Sequence, residues 1–343
     1  MGINMSKVRI LSKENIDNIL TMSETIPAVE NAYVQKCTKS GNVLPLVFYE
    51  FEPGKADMDI KSGHLKKDHI YGLKLVSWFG ENEKNNIPSL IGTILIFNDR
   101  TGEPLALLNA GGITGMRTGA AGAIGAKYLA RKNSQNVLIV GAGEQCPYQI
   151  AALLITFPDI KKVVITNPYM PQHAFERIEV IKRDVAYILR KSGIELSTGI
   201  AASDKLEEAV SSSDIIITAT PSHTPMIQKE WVKPGTHLSC IGADLEGKEE
   251  VEPELFKISK VFVDDLAQAV QVGESEIPYK KGFVTADKMC EIGKVIAGVE
   301  FGRLRDDDIT IFDSTGISLQ DLAVSKTVYI SAEEKNIGIR VEL

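Results

Sequence analysis

The spacing of apolar positions changes several times along the chain, and each change predicts a different element. In "SKENIDNILTMSETIPAVENAYVQKCTKSG" apolar residues recur every three to four positions, the period of an amphipathic helix, with Ser12 and Ser23 as candidate N-caps. From "LPLVFYEFEPG" to "SLIGTILIFNDRTGEPLALLN" the pattern becomes short β-rich runs. Turn signals at Pro53-Gly54 and from Asp99 to Gly102 divide them, which predicts an antiparallel or mixed sheet. "RTGAAGAIGAKYLARKN" is dense in alanine and glycine and predicts a helix that another element approaches closely. Beyond it, "NVLIVGAG", "KKVVITNP", "DIIITAT", "HLSCIGAD" and "KVFVDD" read as strands, with helical patterns between most of them. That alternation predicts a parallel sheet with helices on both faces. "DITIFDSTGISLQDLAVSKTVYISAEEKN" then reads as a strand, a glycine turn and a long helix.

The fold class expected is α/β: a Rossmann-type doubly wound parallel sheet plus a discontinuous α+β domain for substrate binding and dimerisation. The dinucleotide-binding part is expected over residues 117–308. The second domain is expected from 1–116 and 309–343, joined by return of the late helix.

The glycines of "VLIVGAGEQCPYQIAALL" sharpen this picture. After a strand, Gly141 permits a tight turn, and Gly143 lets a pyrophosphate approach the backbone at a helix N-terminus. The third glycine of the G-x-G-x-x-G pattern is replaced by Cys146, a small residue that still allows close helix–strand packing. The flanking strand and helix patterns separate this stretch from a plain tight turn. Asn167 ends the second strand, where an acidic residue would bind the ribose of NAD and a nearby arginine would favour NADP. Asn167 is neutral and no arginine follows within the loop, which leans to NAD and leaves NADP open.

Composition narrows the partners. Across 343 residues the formal net charge is -7, which argues against a nucleic-acid partner. No apolar run approaches the roughly 18 residues needed to cross a bilayer, so no membrane role is expected. "MGINMSKVRILSKEN" lacks the apolar stretch of a secretion signal, and Gly2 is a chance match to a myristoylation site. Cys37, Cys146, Cys240 and Cys290 are scattered without a C-x-x-C pair. They read as reduced thiols in a cytoplasmic protein. The five histidines show no ligand spacing, so no metal is expected.

Several stretches carry a resemblance: "RTGAAGAIGAKYLARKNS", "VGAGEQ", "EWVKPGTHLSCIGADLEGKEEVEPELF", "VFVDDLAQA", "IGKVIAGVEFGR" and "TIFDSTGISLQDLAVSK". Together they resemble the ornithine cyclodeaminase/μ-crystallin family, most of all its archaeal alanine dehydrogenase branch, over nearly the whole chain. The resemblance implies a homodimeric two-domain enzyme that oxidises an amine next to a carboxylate, or reduces the matching imine. The first expectation is an NAD(P)-dependent ornithine cyclodeaminase, converting L-ornithine to L-proline and ammonia. The alternatives are an alanine dehydrogenase, a ketimine or imino acid reductase, and a μ-crystallin-like binding protein without turnover.

The resemblance also assigns roles. Lys74, within the apolar strand "YGLKLVSWFG", and Arg117 would hold the substrate carboxylate. On sequence alone Lys74 could also be an edge lysine reaching water, and Arg117 a surface residue at a helix start. Asp244 would shuttle the proton, or simply cap the turn "DLEGK". Thr118, Gly141, Gly143, Glu144, Gln145 and Asn167 would meet the cofactor. The turn Ser314, Thr315 and Gly316 would lie at its nicotinamide end, although Asp313 or Ser314 also suits a helix N-cap. Thr93 is a candidate for the substrate pocket or an ordinary strand residue. Two positions depart from the alanine dehydrogenase branch: Leu46 stands where that branch has lysine, and Asp59 falls near an expected arginine. Lys61 is placed to restore the lost charge. Asp59 can pair with Lys61, or receive a cationic distal amine, which would favour ornithine or another diamino acid.

Overall fold

The computed structural model describes residues 7–343 of the chain, so the expectations for the first six residues, Gly2 included, lie outside it. The chain divides into two compact units, one from Thr118–Gly316 and the other from the segments on either side of it.

The outer segments share one eight-stranded sheet. Its order is Ile339–Glu342, Lys7–Leu11, Pro104–Asn109, Leu90–Asn98, Ile70–Phe79, Ala56–Leu65, and then both Gly41–Val43 and Val47–Glu52 against the last of these. Only the pair Lys7–Leu11 and Pro104–Asn109 is parallel, so the sheet is mixed. Helix Ser318–Lys335 packs on its three central strands and against helix Met22–Cys37. Glycines permit this approach: a Cβ on Gly63 or Gly72 would lie within 3 Å of Leu319 or Leu322 of that helix.

The N-terminal helical stretch breaks into two helices. Ser12 caps Lys13–Ile19 through a capping box with Asn15, as its position predicts. The second helix, Met22–Cys37, is capped by Thr21 with Glu24, not by Ser23, which lies inside the first turn. Thr21 holds the extended backbone that an N-cap requires, and Glu24 sits three residues on to return the bond.

Residues Thr118–Gly316 build a second eight-stranded sheet, all parallel, in the order Gly199–Ala202, Lys162–Thr166, Asn136–Val140, Ile215–Thr218, His237–Cys240, Ile309–Asp313, Ser259–Val263, Met289–Glu291. Strand order reverses at Asn136–Val140, between its neighbours Lys162–Thr166 and Ile215–Thr218, which is the switch point where open α/β sheets bind ligands. The four apolar residues after Asn136 are all buried, as a strand covered on both faces demands. Strand Ile309–Asp313 lies between two strands of this sheet. The dinucleotide-type unit therefore runs past the expected limit at Asp308, to Gly316. The reason is topological: the strand is added to the sheet after its neighbour Ser259–Val263, by a long excursion through the edge strand Met289–Glu291.

Candidate active site

Two constellations stand out, one in each unit. The first gathers on the helix-covered face of the mixed sheet. Strand register sets Lys61 directly opposite Lys74, and Lys74 opposite Ile94, so these side chains share a face. Lys74 is only 3% exposed, and its ammonium lies 2.9 Å from Asp321 Oδ2. Asp321 Oδ1 lies 3.3 Å from Arg117 Nε, and Arg117 Nη1 donates to Gln320 Oε1 at 3.1 Å. Gln320 in turn donates to the Tyr33 hydroxyl. Burial lowers Lys74 to about 8 against the pull of Asp321, helped by the positive charges of Arg117 and Lys61. Burial pushes Asp321 up, yet Lys74, Arg117 and Lys61 together hold it below the usual carboxylate range.

This cluster settles the bland reading of Lys74: it does not reach water. Arg117 lies in the second turn of helix Gly111–Leu129, not at its start. The field of the helix dipole adds little there, because it fades within the first turn. Thr93 does not join the cluster. It pairs with Leu75, one position from Lys74, and so points to the opposite, open face, where it is exposed. Asp59 lies two residues before Lys61 and shares the Lys74 face; Leu46 is 38% exposed.

The second constellation lies at the carboxyl ends of the parallel strands. Gly141 takes φ +118°, and a Cβ there would meet the Ala219 carbonyl oxygen at 2.5 Å. At Gly143 nothing stands within 4 Å of an added Cβ. Helix Cys146–Thr156 follows with no side-chain cap on its N-cap residue Gln145. Open backbone before an uncapped helix N-terminus is a fit for a pyrophosphate. The buried Thr118 hydroxyl and the Gln145 carbonyl oxygen also lack hydrogen-bond partners among the described residues. Glu144 is exposed and pairs with Arg177 of helix Pro171–Lys191 at 2.9 Å. The Asn167 side chain accepts from the Met170 amide and lies 3.4 Å from His173 Nδ1. An arginine thus comes to the glycine turn from the helix beyond the loop.

Asp244 does not end a strand. His237–Cys240 stops four residues earlier, and Asp244 stands half exposed in the following loop, 2.6 Å from Lys248 Nζ. That loop is anchored from beneath. The buried Glu250 accepts from the Gly242 amide at 2.9 Å, from the Thr220 amide at 2.7 Å and from the Thr218 hydroxyl at 2.6 Å. The turn after Ile309–Asp313 is held in a similar way. Asp264 accepts from the Ser314 and Thr315 hydroxyls and from the Gly316 amide at 2.8 Å. Asp313 and Ser314 cap nothing: Asp313 accepts from the Ser275 amide, and the N-cap of Ser318–Lys335 is Ile317.

Sequence reasoning missed Asp321, Gln320, Glu250, Asp264, Lys248 and Arg177. The signal for Asp321 was present as an acid inside the apolar pattern "GISLQDLAVS". No His, Cys, Asp or Glu group suited to a metal occurs among the described residues, and no helix among them is long and apolar enough to cross a membrane.

A family model described as the ornithine cyclodeaminase/mu-crystallin family matches residues 6–336. The chain belongs to that family. Alanine dehydrogenase of Archaeoglobus fulgidus is 38% identical to it over 334 residues, 97% of this chain and 98% of the relative. Among solved structures, an archaeal alanine dehydrogenase dimer with bound NAD superposes with a TM-score of 0.86 at 37% identity, covering 98% of this chain and 99% of that one. Thermococcus litoralis Δ1-pyrroline-2-carboxylate reductase, solved with NADH and L-proline, gives 0.87 at 30% identity, covering 97% and 100%. Relatives of this family with such names are oxidoreductases working on amino or imino acids, which agrees with the class of enzyme the sequence predicts.

Proposed function

We propose that this chain is an NAD-dependent oxidoreductase acting at the α-carbon of a small amino acid or its imine, with dehydrogenation or imine reduction as its reaction. The observation that carries this reading is the pair of buried cations, Lys74 and Arg117, that shares the one carboxylate of Asp321. Such a surplus of positive charge suits a carboxylate ligand and disfavours a second ammonium. It turns the preference away from ornithine. Among the relatives at 30% identity or more, alanine dehydrogenase, iminosuccinate reductase and Δ1-pyrroline-2-carboxylate reductase support the same choice, whereas one at 30% is named a cyclodeaminase. Ornithine cyclodeamination remains the second reading, favoured by Asp59 on the Lys74 face.

Bound NAD would supply or accept the hydride. Gly141 and Gly143 would hold its pyrophosphate, Thr118, Glu144 and Gln145 would line that stretch, and Asn167 would meet its adenosine ribose. Ser314 and Gly316 would support the nicotinamide end. Lys74, Arg117 and Lys61 bind and orient the substrate carboxylate. Asp244 takes a proton from the water that attacks the iminium carbon, or in cyclodeamination from the substrate's distal amine. Lys248 Nζ lies 2.6 Å from Asp244 Oδ1 and orients that carboxylate. A second copy of the chain would cover the open face of the mixed sheet, where Tyr71 and Ile91 are exposed and Tyr71 stacks on Phe97.

The test is a mass-spectrometric screen of L-alanine, L-ornithine and L-proline with NAD, and of Δ1-pyrroline-2-carboxylate with NADH. Oxidation of alanine or proline, or reduction of the cyclic imine, is expected. Proline and ammonia formed from ornithine would move the assignment to cyclodeamination. NAD binding with no turnover on any of them would make the chain a binding protein. Asp244→Asn should keep NAD binding while kcat falls by roughly 10²–10⁴, the usual contribution of a general acid–base group. Wild-type turnover in that variant would remove Asp244 from the mechanism.

A further inference from the structure

A carboxylate buried beside cations that bind carboxylates opposes the binding it accompanies. Asp321 is 1% exposed, and its charge weakens the attraction of Lys74 and Arg117 for an anionic ligand. Its geometry gives a compensating role. Each oxygen takes one cation, Oδ2 facing Lys74 Nζ at 2.9 Å and Oδ1 facing Arg117 Nε at 3.3 Å. Lys61 brings a third positive charge directly across the strand pair. When like charges crowd together away from water, the group that yields its proton is the lysine, because arginine does not titrate in this range.

We propose that Asp321 is a positioning residue for substrate binding, which keeps Lys74 an ammonium and fixes it beside Arg117 so that their remaining donors are left for a ligand carboxylate. A lysine ammonium has three donors and a guanidinium five, so an ion pair to Asp321 from each leaves several. The neighbouring residue strengthens the arrangement. Gln320 holds Arg117 Nη1 and is itself tied to Tyr33, so helix Ser318–Lys335 grips the arginine through two successive side chains. The other elements packed around Lys74 do less. Strand Ala56–Leu65 presents Lys61 and, two positions before it, Asp59; strand Leu90–Asn98 presents Ile94; helix Gly111–Leu129 presents Arg117. Burial already brings Lys74 down to about 8 with Asp321 in place, so at neutral pH its charge depends on that carboxylate.

The inference rests on the reading of Lys74 and Arg117 as carboxylate ligands, and the experiment separates the two. Competitive labelling with acetic anhydride between pH 6 and 10, read by mass spectrometry, gives the titration of Lys74 without any substrate. In Asp321→Asn its apparent pKa should fall by at least one unit, whereas Asp321→Glu should stay within about half a unit of wild type. L-Proline binding to the NADH-loaded protein, followed by cofactor fluorescence, supplies the second readout. Asp321→Asn should bind proline at least tenfold more weakly at pH 8.5, and this deficit should shrink at least threefold at pH 6, where the ammonium persists unaided. A merely structural role would lower the melting temperature and leave both pH dependences parallel to wild type. An unshifted Lys74 in Asp321→Asn, or an equal deficit at both pH values, overturns the proposal. Should Asp321→Asn not fold, Asp321→Ser is the second neutral variant. In wild type itself, a Lys74 that titrates below pH 7 overturns the proposal with no variant needed. If wild type binds no proline but Lys74 shifts as expected, the ligand assignment fails and the hold of Asp321 on Lys74 stands.

Discussion

A methyl group at Gly141 would lie 2.5 Å from the Ala219 carbonyl oxygen, on a backbone with φ +118°. Two residues on, a methyl at Gly143 would meet nothing within 4 Å. The two glycines should therefore fail differently. Gly141→Ala is strained in the folded chain and is expected to lower the melting temperature. Gly143→Val should fold normally yet lose NAD, because its side chain occupies the approach of the phosphates. Cofactor fluorescence titration beside a thermal melt checks both halves. NAD affinity equal to wild type in Gly143→Val would move the pyrophosphate elsewhere. Of the residues in the lysine cluster, Lys74 and Arg117 were legible because each stands in a motif. Asp321 showed only as an acid inside an apolar helical pattern, since its partners stand hundreds of residues away and nothing in that stretch points to them. Thr93 shows a related limit. Alternation along a strand tells which residues share a face, but only register with the next strand tells which face that is.

At the scale of elements, helix Gly111–Leu129 shows what its composition is for. A Cβ on Gly119 would fall 2.5 Å from the Tyr148 backbone oxygen, and one on Gly125 2.4 Å from the Phe312 ring. The predicted close approach is thus real and is made by helix Cys146–Thr156 and strand Ile309–Asp313. Gly125→Ala pits two effects against each other. Helix propensity gains about 1 kcal/mol, whereas overpacking a filled core costs typically about 1–3 kcal/mol. Phe312 and Ser239 are both fully buried, so neither has room to yield. The clash should win, and chemical denaturation is expected to show a net loss of stability; a gain would mean that the sheet relaxes around the methyl. Element type was readable from period in the longer elements, but short strands such as Lys7–Leu11, Gly199–Ala202 and Ile339–Glu342 were not foreseen, and element ends were less legible. The strand before Asp244 stops short of it because the Gly242 amide turns down to Glu250, a contact from eight residues later in the chain.

For the whole molecule, stability should carry the mark of carboxyl groups sealed under the parallel sheet's ligand-binding end. Burial first, then the negative charge of Asp264, push Asp313 up to about 7. A carboxyl raised in the folded state binds its proton more tightly there than in the unfolded chain. Its contribution is therefore complete at acid pH and is lost as pH climbs from about 4, the unfolded carboxyl's value, through 7. His237 works in the other sense. Burial lowers it to about 3, so its contribution is present above the unfolded histidine's value and is lost as pH falls toward 3. Asp313→Asn isolates the first effect. Its melting temperature relative to wild type should rise between pH 5 and pH 8, and a difference independent of pH would show that Asp313 is ionised throughout.

The interruption of one unit by the other also fixes an order of assembly during synthesis. Residues 118–316 form a contiguous stretch and can close their sheet as soon as they leave the ribosome. The mixed sheet cannot. Its first strand, Lys7–Leu11, waits for Ile339–Glu342, and Lys74 and Arg117 wait for Asp321 on the helix before it. Until then Lys74 and Arg117 lack the Asp321 carboxylate that faces both in the folded chain. The buried cation cluster is therefore a late product of translation, made only after the parallel sheet has had the time to fold that about two hundred intervening residues allow.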